Sequence, residues 1–261
     1  MKALFFDIDG TLIGGGISEL SPGLVNELKR IKAMGNVIFV ATGRPKPMVG
    51  PNIYNDLFDG YIFANGGYIE VNHQEIYRDT MDYELLVELC KNLREHHFEY
   101  MIETCNHIYK EKQYIQLFEF FNRIKMTDFF IYDFDEDDKL HRTVKIECDV
   151  PHERRKELDQ LLEDLFHGAV KHDVHGTNNI YEIYPSTLSK ALGIQKVLDH
   201  YSIPLENTYA FGDGTNDIEM IKYASTGVAM GNAEEIVKES ADVICDRVEN
   251  HGLEKYLKEV F

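Results

Sequence analysis

Apolar and polar positions along the chain follow two rhythms. Residues 2–6 form a short apolar run that stops at Asp7-Ile8-Asp9-Gly10-Thr11, which predicts a buried strand and then a turn. Between residues 22 and 34 the apolar residues Leu24, Val25, Leu28, Ile31 and Met34 repeat with helical spacing. Ser21 is placed to cap that helix, and Pro22 to occupy its first position. Residues 36–41 (NVIFVA) are a continuous apolar run, as for a strand covered on both faces, and end in Thr42-Gly43-Arg44-Pro45. A third strand is predicted over 61–64, ahead of Asn65-Gly66-Gly67, and a small hairpin over 68–71 and 75–77. Strands rich in Val, Ile and Phe with helices between them suggest a parallel sheet, whose ligand site lies beyond the C-terminal strand ends. Asp7 and Asp9, Thr42, and Asn65 each follow such an end.

Near residue 79 the rhythm changes. A helix is predicted over 81–94, from Leu85, Leu86, Leu89, Cys90 and Leu93, followed by strands over 98–103 and 107–110. An aromatic helix (114–121), strands (129–134 and 143–148), a helix (151–166) and two more strands (169–172 and 179–184) complete the segment. Helices alternating with pairs of strands point to an α+β module of antiparallel type. After Pro185 the first rhythm returns: a helix over 188–201 opening on Ser189-Lys190, then a strand over 208–211 that runs into Gly212-Asp213-Gly214-Thr215-Asn216-Asp217. Helices over 218–223, 234–240 and 252–260 alternate with strands over 226–230 and 243–245. The expected fold class is therefore α/β: a Rossmann-like parallel-sheet core, residues 1–79 and 187–261, interrupted by an inserted α+β cap, residues 80–186.

Composition narrows the function. The chain has 261 residues, 44% hydrophobic and 28% charged, as in a globular protein rather than a disordered or low-complexity one. Its formal net charge is -18. A field of that sign repels nucleic-acid phosphates and anionic membrane surfaces, so neither is expected as a partner. The expected insert alone carries 13 basic and 23 acidic residues. No apolar run reaches the roughly 18 residues a membrane-spanning helix needs, and the N-terminus lacks a signal-peptide pattern. Cys90, Cys105, Cys148 and Cys245 are widely spaced and form no metal-binding or disulfide framework. Free thiols and a cytoplasmic location are expected.

The candidate chemistry lies in the carboxylates. Asp7 and Asp9, one residue apart, share a face of a regular strand, and Asp213 and Asp217 flank a turn at another strand end. Each Asp alone could be a helix cap or a turn residue. Four that converge would repel one another unless a hard cation such as Mg²⁺, which prefers oxygen ligands, neutralised them. Lys190 is a local positive group at a helix start, where the helix dipole disfavours a cation. Its plain reading is a solvent-facing lysine, and its functional one is to offset the charge of a phosphoryl group.

Taken together, these residues resemble the haloacid dehalogenase-like phosphatase superfamily. Its DxDGT signature corresponds to Asp7 to Thr11, its strand-closing Thr to Thr42, its helix-opening Lys to Lys190, and its GDxxND to Gly212 to Asp217. The insertion between the second and third signatures, Asn65-Gly66-Gly67, and Glu182-Ile183-Tyr184-Pro185-Ser186 resemble the Cof-type branch with a class IIB cap. One departure is that Lys190 is followed directly by Ala191-Leu192-Gly193, where the family often has Gly next to the lysine.

The resemblance implies a phosphomonoesterase working through an aspartyl-phosphate. Asp7 would be the nucleophile and Asp9 the general acid and then base. Thr42, Gly43, Lys190 and Asn216 would hold the phosphoryl group, Asn216 either by contacting it or by orienting Lys190. Mg²⁺ would be bound by Asp7, the backbone carbonyl of Asp9, Asp213 and Asp217, the last directly or through water. Arg44, Asn65 and Asn178 are expected as contacts to substrate or cap. The expected partner is a small phosphate ester, a sugar phosphate or a phosphorylated cofactor, handled by a monomer or homodimer. The presence of Asp9 argues against a P-type ATPase, and the DxD pair against a dehalogenase. A phosphohexomutase and a non-catalytic phosphometabolite-binding protein are the alternatives. The first would need a basic phosphate site in an acidic cap, and the second should have lost its nucleophile.

Other features carry less. The aromatics Tyr109, Tyr114, Phe118, Phe120 and Phe121 are expected to pack a core rather than line a pocket. Asp135-Glu136-Asp137-Asp138 lacks EF-hand spacing and reads as a solvated loop. His73 and His175 are weaker candidates for facing the site.

Overall fold

The computed structural model describes residues 1–16, 18–123, 130–132, 142–174 and 179–261. The chain forms two compact units. The first comprises Met1–Arg44, Val49–Arg78 and Ser189–Phe261, and the second Pro45–Met48 and Asp79–Leu188.

The first unit is built on a sheet of eight strands among the described residues. In chain order these are β1 (Ala3–Phe6), β2 (Val37–Ala41), β3 (Gly60–Phe63), β4 (Tyr68–Val71) and β5 (Gln74–Arg78). The second unit then supplies β6 (Glu99–Thr104), β7 (Ile108–Lys110), β8 (Phe130–Ile131), β9 (Thr143–Asp149), β10 (Val170–Val174) and β11 (Ile180–Pro185). The chain returns to the first sheet with β12 (Thr208–Gly212), β13 (Thr226–Ala229) and β14 (Val243–Ile244). The first sheet runs β14-β13-β12-β1-β2-β3-β4-β5. Its pairings are parallel from β14 to β3, and antiparallel for β3–β4 and β4–β5.

Apolar runs form the centre of this sheet because both of its faces are covered. All four residues of β1 are fully buried. On one face Phe5, Phe39 and Ile62 pack with Ile194, Val197 and Leu198 of the helix Lys190–Tyr201. Phe6 stacks on Phe211 with ring centroids 4.8 Å apart. The helix Pro22–Ala33 buries Leu24, Leu28 and Ile31, and packs against the helix Gly252–Val260. Ser21 caps it as expected, its Oγ accepting the Leu24 N–H at 3.0 Å.

Register then aligns the strand ends. Phe6 lies opposite Val40 on one side and Phe211 on the other. Asp7, one residue further on, and Thr42 and Asp213, two residues further on their own strands, consequently emerge together at the C-terminal edge. β1 is also where the strand order reverses, with β2 on one side and β12 on the other. In open parallel sheets that switch point is where ligands bind.

The second unit holds a six-stranded sheet in the order β10-β11-β9-β6-β7-β8, antiparallel except for the β7–β8 pair. The helices Tyr83–Glu95 and Arg155–Phe166 supply Leu86, Leu89, Leu93, Leu158 and Leu162 to a core with Tyr100, Ile146 and Ile183 of the sheet. Tyr109 and Phe121 are buried in the cores of this unit and Tyr114 packs partly buried against one of them, as the packing reading expected, whereas Phe118 is exposed. Unannounced by the pattern, Lys145 is fully buried on β9 among Glu182 (2.5 Å), Glu147 (2.8 Å) and Glu103 (3.2 Å). Burial, reinforced by Glu147, pushes the Glu103 carboxyl well up. The 135–138 acidic run, His175 and Asn178 lie outside the described residues.

Candidate active site

The sequence patterns that end the parallel strands also place the chemical groups. Asp7 leaves β1 with its N–H donating to the Phe211 carbonyl at 2.9 Å, which continues the ladder one residue past the strand. Its carboxylate is nearly buried. Lys190 is the first residue of its helix, whose N-cap Ser189 accepts the Leu192 N–H at 3.1 Å. The Lys190 ammonium is fully buried, and donates to Asp7 Oδ1 at 2.7 Å and Asp217 Oδ1 at 2.5 Å. Two carboxylates thus outweigh the unfavourable end of the helix dipole. The other Asp217 oxygen accepts the N–H groups of Asp213 and Gly214, both at 2.9 Å, and so closes the loop after β12.

Asp7, Asp213 and Asp217 each present an oxygen within 4.8 Å of the others, a group that could hold a metal ion. Gly10 permits this approach. Its φ is +89°, and a Cβ there would stand 2.0 Å from Asp213 Oδ2. Asp213 is steadied by Thr11, whose Oγ1 donates to it at 3.1 Å, and by Asn232, whose Nδ2 donates to it at 3.2 Å and to the Gly10 carbonyl at 2.9 Å.

Electrostatics favour a cation here. Burial pushes the Asp7 carboxyl well above the usual range, with Asp217, Asp213 and Asp9 adding repulsion that Lys190 only partly offsets. Asp213 is pushed up to about 7, by burial first and then by Asp217. Burial would lower the Lys190 ammonium, but Asp217 and Asp7 outweigh it and hold its pKa above the ordinary value. Three carboxylates share one lysine, so the all-oxygen donor set retains surplus negative charge. The residues present therefore fit a hard divalent cation.

Thr42 is buried at the end of β2, its Oγ1 accepting the Arg44 N–H at 3.1 Å. Gly43 lies between them. The Asp9 carboxylate is exposed and held by the Arg44 guanidinium, Nε to Oδ2 at 2.7 Å and Nη2 to Oδ1 at 2.5 Å. Asn65 is buried and accepts a hydrogen bond from Asn216 Nδ2 at 3.2 Å. His73 sits between β4 and β5, with Tyr54 and Asp56 as partners.

Sequence reasoning missed Asn232 altogether and gave Thr11 no part of its own. The available signal was position: Met230-Gly231-Asn232 follows the parallel strand β13, just as Asp213 follows β12. The Arg44–Asp9 pair had no signal, because 34 intervening residues separate its members.

Comparison with known proteins agrees with this site. The family model of haloacid dehalogenase-like hydrolases matches residues 4–257. YkrA of Bacillus subtilis (strain 168) is 30% identical, over 99% of this chain and 97% of its own length. The 5-amino-6-(5-phospho-D-ribitylamino)uracil phosphatase YitU of the same organism is 28% identical, over 98% of this chain and 96% of its own. Among solved structures, a HAD subclass IIB sugar phosphatase superposes with a TM-score of 0.84 at 28% identity, covering 99% of this chain and 98% of its own. A haloacid dehalogenase-like hydrolase from Bacteroides thetaiotaomicron reaches 0.87 at 26% identity, covering 100% and 99%. With signatures, sheet order and carboxylate–lysine cluster all in agreement, the chain belongs to the haloacid dehalogenase-like hydrolase family, as a phosphatase of the Cof type with a class IIB cap.

Proposed function

We propose that this enzyme is a Mg²⁺-dependent phosphomonoesterase that releases phosphate from small phosphometabolites through an aspartyl-phosphate on Asp7. The observation that carries this reading is the buried Lys190 ammonium between Asp7 and Asp217, with Asp213 close enough to both carboxylates for the three to hold one metal ion. Asp7 Oδ1 is held by Lys190, which leaves Oδ2 as the oxygen to attack phosphorus in line with the departing ester oxygen. Thr42 Oγ1 already accepts the Arg44 N–H, so its own proton can turn towards a phosphoryl oxygen. Released from Arg44 and carrying a proton, Asp9 protonates the leaving oxygen and then takes a proton from the water that hydrolyses the intermediate. Lys190 holds the Asp7 carboxylate before attack and then offsets the charge on the phosphoryl oxygens.

Asp7, the Asp9 backbone carbonyl and Asp213 would hold Mg²⁺. Asp217 would join through water, since three donors already occupy its carboxylate. Bound there, the cation would let a carboxylate approach a phosphate dianion by screening both charges.

Residues 80–186 are proposed to choose the leaving group. Sugar phosphates and phosphorylated cofactors are the first substrate classes to test, in keeping with the sugar phosphatase and the ribitylaminouracil phosphatase that this chain resembles. Four free cysteines support a reducing, cytoplasmic setting. The test is a phosphate-release screen over these esters with and without Mg²⁺, beside Asp7→Asn. Mg²⁺-dependent release that the variant loses at least a thousandfold is expected. A folded, metal-binding protein that releases phosphate from no ester would overturn the reading in favour of the mutase or the binding protein.

A further inference from the structure

The turn Ala64–Gly66, directly after β3, touches three of the segments that build the site. Its backbone grips the end of β2: the Ala64 N–H donates to the Arg44 carbonyl and the Asn65 N–H to the Thr42 carbonyl, each at 3.1 Å. Its glycine lies against the start of the helix that carries Lys190. A Cβ on Gly66 would stand 2.3 Å from the Ser189 carbonyl oxygen, so only glycine allows that approach. Its side chain reaches the loop after β12, where Asn65 Oδ1 accepts the Asn216 Nδ2 hydrogen bond at 3.2 Å.

The turn is also strained. Ala64, Asn65 and Gly66 adopt φ values of +48°, +51° and +100° in succession. Glycine tolerates the left-handed region freely and asparagine moderately, but an alanine there costs on the order of 1 kcal/mol. Strain of this kind persists where surrounding contacts over-determine it, and such places cluster at functional sites. Asn65 is only 1% exposed. Its carboxamide is therefore presented to the protein rather than to solvent.

We propose that Asn65 is a positioning residue: it fixes the Asn216 carboxamide, and with it the 212–217 loop, against Thr42 and Lys190 so that the phosphoryl-binding groups converge. This rests on the phosphatase reading above. In that reading Asn216 meets phosphate, and Asn65 acts through it. The turn thereby couples the three segments, which are remote in sequence, without itself donating to the substrate.

The test separates backbone from side chain. Asn65→Gly keeps the positive φ and removes the carboxamide, with it the oxygen that accepts from Asn216. Phosphate release and the affinity for inorganic phosphate, measured by titration calorimetry in Mg²⁺, are compared for wild type, Asn65→Gly, Asn216→Ala and the double variant. We expect Asn65→Gly to melt near wild type and bind Mg²⁺ unchanged, while kcat/KM and phosphate affinity fall roughly five- to tenfold, as for one lost buried hydrogen bond. The double variant should be no worse than Asn216→Ala alone, because the two side chains act as a unit. Should Asn65→Gly not fold, the same coupling is read with Asn65→Ala. Wild-type turnover with an unaffected Asn65 variant, or strictly additive losses, would overturn this inference and leave the phosphatase reading standing. A wild type that neither turns over nor binds phosphate would overturn both.

Discussion

At the scale of single residues, burial decides what each ionisable group can do. Lys190 and Asp217 are ordinary polar letters in the sequence, yet the fold excludes both from water and pairs them with each other, Lys190 also with Asp7 and Asp217 also with the Asp213 and Gly214 N–H groups. Asp149 shows the same principle away from the site. It lies opposite Glu99 across the β6–β9 pair, and the Glu99 carboxylate accepts the Ile115 and Leu117 N–H groups. Burial, and then Glu99, push the Asp149 carboxyl up to about 6. A carboxyl whose folded pKa is raised binds its proton more tightly when folded. Its contribution therefore turns unfavourable as pH rises through the window from about 4 to 6, and stays so above it. Asp149→Asn should melt with wild type below about pH 4 and about 2–4 °C above it at pH 7–8, as for about 1 kcal/mol after solvent screening. Equal melting temperatures at both pH values would show that the carboxyl carries no such penalty.

At the scale of elements, closeness of approach is what turns a strand end or a helix start into a site. The apolar runs announced β1, β2, β3 and β12, and Ser189 announced the start of the helix Lys190–Tyr201. How deeply that helix sits is set by Gly193, whose Cβ, if present, would stand 2.4 Å from Ile62 Cγ2 on β3. The family's frequent glycine next to the lysine is absent here, and a glycine three positions after Lys190 faces the sheet. Gly193→Val should lift the helix off β3 and destabilise the protein by about 1–3 kcal/mol. With it should come a loss of at least tenfold in kcat at temperatures where the variant stays folded, since Lys190 lies one turn upstream. A lower melting temperature with unchanged kcat would mean that helix depth does not place the lysine. In the second unit, Lys145, Glu103, Glu147 and Glu182 occupy strand positions that an alternating pattern assigns to solvent, yet all four are buried. That cluster was illegible because a polar letter on a half-buried strand reads the same whether its face meets water or other polar side chains.

At the scale of the whole molecule, charge links composition to the site. A net charge of -18 makes the folded protein sensitive to any cation through self-repulsion. A specific divalent site differs from screening because it acts at millimolar concentration, where ionic strength barely changes. Mg²⁺ at a hundredfold excess over its Kd should stabilise the protein by about 2.7 kcal/mol, roughly 5–10 °C in Tm. NaCl of equal ionic strength should do much less, and Asp213→Asn should remove the Mg²⁺-specific part. Equal shifts from the two salts, or an undiminished shift in the variant, would refute a cation site at Asp7, Asp213 and Asp217. Among the described residues no helix is long and apolar enough to cross a membrane, in line with the absence of long apolar runs.

The sequence by itself determined the α/β class, the order of strands and helices, and the residues of the four signatures. These are local properties: hydrophobic period, capping residues and turn residues act over a few positions. Only the tertiary structure decided how those residues are used. That Asp9 is held by Arg44, that Asn232 and Thr11 steady Asp213, and that Asn65 meets Asn216 all depend on contacts between segments tens to hundreds of residues apart. The parallel register brings such segments together, and no local pattern encodes which side chain will then lie within 3 Å of which.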